Sequence, residues 1–136
     1  MVAPRRRNPL DAGFTLIELM VVMAIIVILA GIGVASYTNS ITRSKEAVLK
    51  EDLYRMRDAL DQFFADKGKY PSGLDELVQD KYLRAIPVDP FTQSADTWQT
   101  EMSEPDPSNP SDSVGINNVK SGAEGTSLDG TKYAEW

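Results

Sequence analysis

The chain has 136 residues, 14 lysines and arginines against 20 aspartates and glutamates, a net charge of −6, and neither histidine nor cysteine. That length holds one small domain rather than two. Without cysteine there is no disulfide framework and no thiolate, and without histidine the usual general base and the usual zinc ligand are missing.

The charge is unevenly spread. Residues 1–13 hold Arg5, Arg6 and Arg7 against Asp11, residues 14–72 balance seven acids with seven bases, and residues 73–136 hold twelve acids and four bases. A tail of that sign argues against a nucleic-acid partner, which needs a basic face. No nucleophile–base pair can be assembled, and no spacing singles out two carboxylates as an acid–base pair. No enzyme is expected, and the carboxylates read as a solvated face. A small domain lacking both cysteine and histidine needs another staple, either a hard metal ion or packing in an oligomer.

Met1–Gly13 (MVAPRRRNPLDAG) is polar and basic. An ordinary secretory signal places its small-residue cleavage site after the apolar part. Here Ala12-Gly13 precedes it, so a cut there would remove the arginines and keep the hydrophobic helix. The arginines hold this end in the cytoplasm by the positive-inside rule. An uncleaved signal anchor is the alternative.

Phe14–Thr42 is long enough to cross a hydrocarbon core of about 30 Å. It has no charged residue from Leu19 onward, and Glu18 stands alone at its start. An ionisable group at the edge of a membrane span is a functional candidate by default. It is equally a carboxylate favoured by the positive end of a helix. Gly31 and Gly33 read as small-residue packing sites or as a place where the helix unwinds. Polarity rises from Ser36 through Tyr37, Asn39 and Ser40, which marks the exit from the bilayer.

From Arg43 to Asp66 the helix continues as an amphipathic one. Leu49, Leu53, Met56, Leu60 and Phe63 recur at spacings of four, three, four and three, one apolar stripe. Charges fill the other faces: Lys45, Glu46, Lys50, Glu51, Asp52, Arg55, Arg57, Asp58 and Asp61. Lys67-Gly68 supplies the stop. The stripe needs a cover, either the rest of the chain or a coiled-coil partner. One helix is thus expected from Phe14 to about Asp66.

Ser72, followed by Asp75 and Glu76, reads as the N-cap of a short helix running to about Asp80, with Leu74, Leu77 and Val78 buried. Pro87 and Pro90 then forbid regular structure. Trp98, Thr100 and Met102 alternate in a modest strand over Thr97–Met102. Ser103–Ser113 is a Pro/Ser/Asp loop. Val114–Val119 reads as a strand with Val114 and Ile116 inward, and Thr131–Trp136 as a last strand anchored by Tyr133 or Trp136. The expected class is α+β: a long N-terminal helix packed on a small C-terminal domain with a short helix and about three antiparallel strands. The expected divisions are 1–13, 14–42, 43–69 and 70–136.

Gly13 followed by Phe14-Thr15-Leu16-Ile17-Glu18-Leu19, behind a basic leader and ahead of an apolar run, resembles the leader junction of type IV prepilins and pseudopilins. Lys69-Tyr70-Pro71-Ser72, Tyr82-Leu83, Ile86-Pro87-Val88-Asp89-Pro90-Phe91, Ser121-Gly122-Ala123-Glu124-Gly125 and Ala134-Glu135-Trp136 resemble the major, G-type pseudopilin of type II secretion. The resemblance implies cleavage between Gly13 and Phe14 by a membrane-embedded prepilin peptidase, which also methylates the new amine of Phe14. It implies a single-pass inner-membrane subunit with its N-terminus cytoplasmic and its C-terminal domain periplasmic. The subunit would polymerise into a helical periplasmic filament through Phe14 and Glu18 and drive the export of folded proteins. Its implied partners are copies of itself, minor pseudopilins, the peptidase and an ATP-driven inner-membrane assembly platform. The alternatives are a type IV pilus pilin and a monomeric membrane-anchored binding domain. The lack of cysteine, and of proline between Phe14 and Asp66, favours the pseudopilin.

The resemblance also implies a calcium ion in the loop Ser121–Asp129, although nothing in the composition requires a cofactor. Calcium takes about six to eight oxygens. Glu124 and Asp129 are the candidate carboxylates, with Ser121 and nearby carbonyls to complete the shell. Glu124 stands where the family has Asp, and the loop before Asp129 is shortened. The alternative is an acidic turn whose glycines serve backbone needs.

Overall fold

The computed structural model describes residues 1–2, 13–108 and 114–136. Most of the expected leader, with its three arginines, and residues 109–113 of the expected proline-rich loop lie outside the described residues. The elements in chain order are α1 (Leu16–Lys67), α2 (Leu74–Gln79), β1 (Gln99–Met102), β2 (Ile116–Lys120) and a closing 3-10 turn, Tyr133–Glu135. The class is α+β, as the sequence predicts. The chain divides into two compact units, Met1–Thr38 and Asn39–Trp136.

The first unit holds the N-terminal half of α1. Its best 18-residue window has a mean hydropathy of 2.8 and buries none of its residues within the chain. It is long and apolar enough to cross a membrane. Leu16, Ile17, Val27 and Leu29 are exposed, as are the other large apolar residues there. A helix apolar all round needs a lipid or protein environment on every face.

The second unit is built on the remaining turns of α1. The predicted stripe is the core: Leu49, Leu53, Met56, Leu60 and Phe63 are buried, with Ala59 beside them. Leu77 of α2, Trp98, Ile116 and Val119 of β2, Ala123 and Tyr133 cover it. Full burial of one such aliphatic or aromatic side chain is worth about 1.5–3 kcal/mol, so the stripe is the main source of this unit's stability. On α1 one charged residue departs from the expected solvated faces. Glu46 is only 6% exposed, because it stands three residues before Leu49 and therefore on the same side of the helix. α1 ends where Lys67-Gly68 predicts: Gly68 takes a left-handed φ of 68° and its N–H donates to the Phe64 carbonyl at 2.8 Å.

The short helix α2 starts at Leu74 with Gly73, not Ser72, at the capping position. Ser72 lies one residue further out, and its N–H and hydroxyl both donate to the Glu76 carboxylate. Of the expected face only Leu77 is fully buried; Leu74 and Val78 are half-buried.

β1 and β2 pair antiparallel, Gln99 opposite Lys120 and Glu101 opposite Asn118. Met102 then pairs with Ile116, leaving Asn117 as a bulge. The extra residue shifts the alternation of β2, so Ile116 and Val119 both face inward. Val114, expected to face inward, is exposed because it lies before the paired strand begins at Ile116. All four residues of β1 are exposed, and the buried indole of Trp98 lies just before it. The Trp98 Nε1 donates to the Pro87 carbonyl at 2.8 Å. The expected third strand is a single bridge between Thr126 and Lys132 followed by the 3-10 turn. The reason is local: Tyr133 turns inward to stack on Phe91, centroids 4.2 Å apart, and an extended run would carry the tail past it.

Arg57 joins α1 to the sheet. Its Nε donates to Asn118 Oδ1 at 2.9 Å and its terminal nitrogen to the Val119 carbonyl at 2.8 Å. Gly122 follows, pressed against Thr97: a Cβ there would stand 1.9 Å from the Thr97 carbonyl oxygen. Gly122→Ala is therefore expected to lower stability by about 1–3 kcal/mol through forced backbone movement, read from urea melts of the full chain in detergent.

Candidate functional site

The start of α1 is capped by a threonine side chain. Thr15 Oγ1 accepts from the Glu18 N–H at 3.2 Å, and the Thr15 carbonyl accepts from Leu19 N–H at 3.1 Å. Thr15 is thus the N-cap and Glu18 the third helical residue, the Thr-x-x-Glu arrangement. Glu18 stands out in the sequence by its charge, whereas the only sequence signal for the role of Thr15 is that four-residue spacing. The Glu18 carboxylate lies in the first turn, where the helix dipole favours negative charge. It is exposed, as is Phe14 at 85%. The ion pairs among the described residues are Arg55–Glu51, Lys67–Asp80 and Lys120–Glu101, none of them at this end. Gly13 and Phe14 precede the helix in irregular backbone, so the expected cleavage junction lies outside the hydrogen-bonded ladder.

The second candidate is the loop Ser121–Asp129. Ser121 is fully buried, and its hydroxyl donates to Asp89 Oδ2 at 2.6 Å while accepting from the Ala123 N–H at 3.1 Å. Asp89, also fully buried, takes further bonds at Oδ1 from the N–H groups of Phe91 (2.8 Å) and Thr92 (3.3 Å). An aspartate ahead of proline that accepts from the residue two positions on is an Asx-type turn. In the sequence the two prolines mark this stretch as irregular without marking Asp89 as its buried acceptor. Glu124 and Asp129 are exposed. Among the described residues, no three or more acidic side chains gather in a way that could hold a metal ion. The expected ligand set is thus divided, its hydroxyl turned inward to Asp89 and its two carboxylates at the surface, which does not fit a calcium cage of six to eight oxygens.

Other contacts order the loop. Ser127 N–H donates to the Thr131 carbonyl at 2.7 Å, and the Ser127 and Thr131 hydroxyls lie 2.9 Å apart. Glu46 Oε1 accepts from the Leu128 N–H at 2.8 Å and from the Tyr133 hydroxyl at 3.0 Å. Burial, then the hydrogen bond to Glu46 and its negative charge, push the Tyr133 phenol up to about 12.

A cleft lined by Asp52, Arg55, Asp58, Tyr82 and Arg84 carries mixed charge. Burial raises the Asp52 carboxyl above its ordinary range, with Arg55 opposing. No serine, threonine or lysine lines it to act as a nucleophile.

Residues 9–34 match the family described as the prokaryotic N-terminal methylation motif. With the capped, apolar α1 and the small domain on its later turns, the motif defines a pilin-like class of chain. The type II secretion system core protein G of Pseudomonas aeruginosa is 37% identical over 97 residues, 60% of this chain and 68% of that protein. The core protein G of Klebsiella michiganensis is 31% identical over 101 residues, 62% of this chain and 71% of that protein. The type IV major pilin protein PilA of Myxococcus xanthus is 42% identical over 72 residues, 53% of this chain but only 33% of that pilin's length. No solved structure matches the chain. The chain belongs to the family of the type II secretion system core protein G, the major pseudopilins, and type IV pilins are among its relatives.

The Tyr133 phenol has a pH consequence. An unfolded tyrosine titrates near 10, and here the folded group titrates near 12. The folded state therefore holds the proton that the unfolded state gives up, so the stabilisation is complete below pH 10 and is lost as pH rises toward 12. Thermal melts across that window are expected to show a steeper fall for the parent chain than for Tyr133→Phe.

Proposed function

We propose that this chain is a structural subunit of a type II secretion pseudopilus, anchored in the inner membrane by the first turns of α1 before assembly and polymerised through them into a periplasmic filament. One observation carries the reading: a capped, wholly apolar helix start bearing a lone exposed carboxylate, in a chain of the core protein G family. Cleavage after Gly13 would create an ammonium group at Phe14, which the same prepilin peptidase would methylate. The Glu18 carboxylate of one copy would then neutralise the Phe14 ammonium of its neighbour. A lone carboxylate in lipid is expensive, and such a pair would fix the axial offset between copies. A head-to-tail contact of this kind does not close, and so grows a fibre. Minor pseudopilins and an inner-membrane assembly platform complete the set of partners. The chain itself carries out no reaction in this scheme.

The 42% identity to the Myxococcus pilin favours one second reading, a type IV pilus subunit. Neighbouring genes separate the two: a secretin and secretion platform for the first, pilus retraction machinery for the second.

Mass spectrometry of the native N-terminus is expected to find methylated Phe14 as the first residue. An intact Met1 end on a chain that stays monomeric would instead leave a membrane-anchored binding domain. Glu18→Ala is expected to preserve processing and abolish filament growth, read by N-terminal mass and electron microscopy; normal filaments from that variant would remove its registry role.

A further inference from the structure

The resemblance implies a cation in the C-terminal loop, yet the side chains there point to a different fastening. Ser121 is committed to Asp89, while Glu124 and Asp129 stand exposed. The group that reaches the loop is Glu46, from α1, 82 residues before Leu128. It is buried, and one carboxylate oxygen accepts both the Leu128 N–H and the Tyr133 hydroxyl. Bonds to an ionised acceptor are roughly twice as strong as neutral ones. One turn further along α1, Lys50 places its ammonium 4.5 Å from the centre of the Trp136 ring. Residues four apart share a helix face, so one face of α1 holds both the tip of the loop and the last residue of the chain. Arg43 and Lys50 line the cleft that Glu46 and Asp129 share, so positive charge is already supplied beside the two carboxylates a divalent ion would need.

We propose that Glu46 is an internal clamp that orders the segment Ser127–Trp136, and that this chain holds its C-terminal loop without calcium. The clamp is independent of filament assembly. A carboxylate has no freedom to leave as a dissociable ion has, so the loop should keep its order where calcium is scarce.

The test uses the full chain in detergent and follows amide exchange of residues 127–133 together with the thermal midpoint. Adding calcium chloride or a calcium chelator to the parent chain is expected to change neither. Glu46→Ala is expected to speed exchange of those amides by about tenfold or more, the loss of a charged hydrogen bond, while the amide of Val119 in β2 keeps its protection. Glu46→Gln, which retains an oxygen acceptor, should fall between. A midpoint that drops on chelation, or a loop that stays protected in Glu46→Ala, overturns the proposal. If Glu46→Ala does not fold, the parent chain's response to calcium and the exchange of Glu46→Gln decide it by the same criteria.

Discussion

The unit Asn39–Trp136 depends on one constraint: the stripe from Leu49 to Phe63 must be kept from water. A two-stranded sheet and a six-residue helix have little interior of their own. Their inward side chains (Leu77, Ile116 and Val119) meet the stripe rather than one another's opposite faces. The chain has no cysteine with which to cross-link its loops. Loss of the stripe would therefore remove the surface on which α2, β2 and the closing turn are laid, not simply one face of a core.

Apolar burial alone would not place the loops, because the area it covers says little about register. Three side chains do that with directional bonds. Arg57 reaches the β2 backbone, Asp89 gathers two amides and the Ser121 hydroxyl, and Glu46 gathers the Leu128 amide and the Tyr133 phenol. Among the described residues no buried side-chain nitrogen or oxygen lacks a partner. Burying such groups is costly when they are unpaired and specifying when they are paired. The irregular half of the domain is thus fixed by charge-assisted bonds to backbone, where a larger domain would use further strands.

The helical parts of this fold were legible because helix periodicity is local. The stripe, the stop at Lys67-Gly68 and the position of Leu77 each follow from residues within a turn or two of one another. The sheet was less so. The bulge at Asn117 exists only once β2 has a partner, and it is what brings Val119 to the same side as Ile116; Val114 is exposed because the pairing stops at Ile116, an end that no local pattern marks. The tail is a turn rather than a strand for a similarly non-local reason: Tyr133 stacks on Phe91, 42 positions away by residue number, and no short window contains both. Glu46 and Thr15 differ from these. Both are legible from spacing, one in phase with the apolar stripe and the other as the first position of a Thr-x-x-Glu pattern, although residue type alone points away from both roles.

Glu18 and Glu46 show what spacing contributes. Both are glutamates on α1 beside apolar neighbours, and composition does not tell them apart. Glu46 lies where the domain's own backbone and phenol can reach it, so its charge is satisfied inside the chain. Glu18 lies in the first turn, exposed, with the helix dipole as its internal support and no cation paired to it among the described residues. Dipole support falls off within a turn and is weak for an exposed group, which leaves most of the cost of placing that carboxylate beside an apolar span unmet. Within the full-length chain the nitrogen of Phe14 is a neutral amide. Only a cut after Gly13 makes it a cation, and helical geometry keeps that cation at the end of its own α1, where a neighbouring copy offset along the axis can present Glu18 to it. Under the proposed reading, processing therefore does more than remove a basic leader: it creates the one charge that the exposed glutamate lacks, and so couples assembly to cleavage through electrostatics alone.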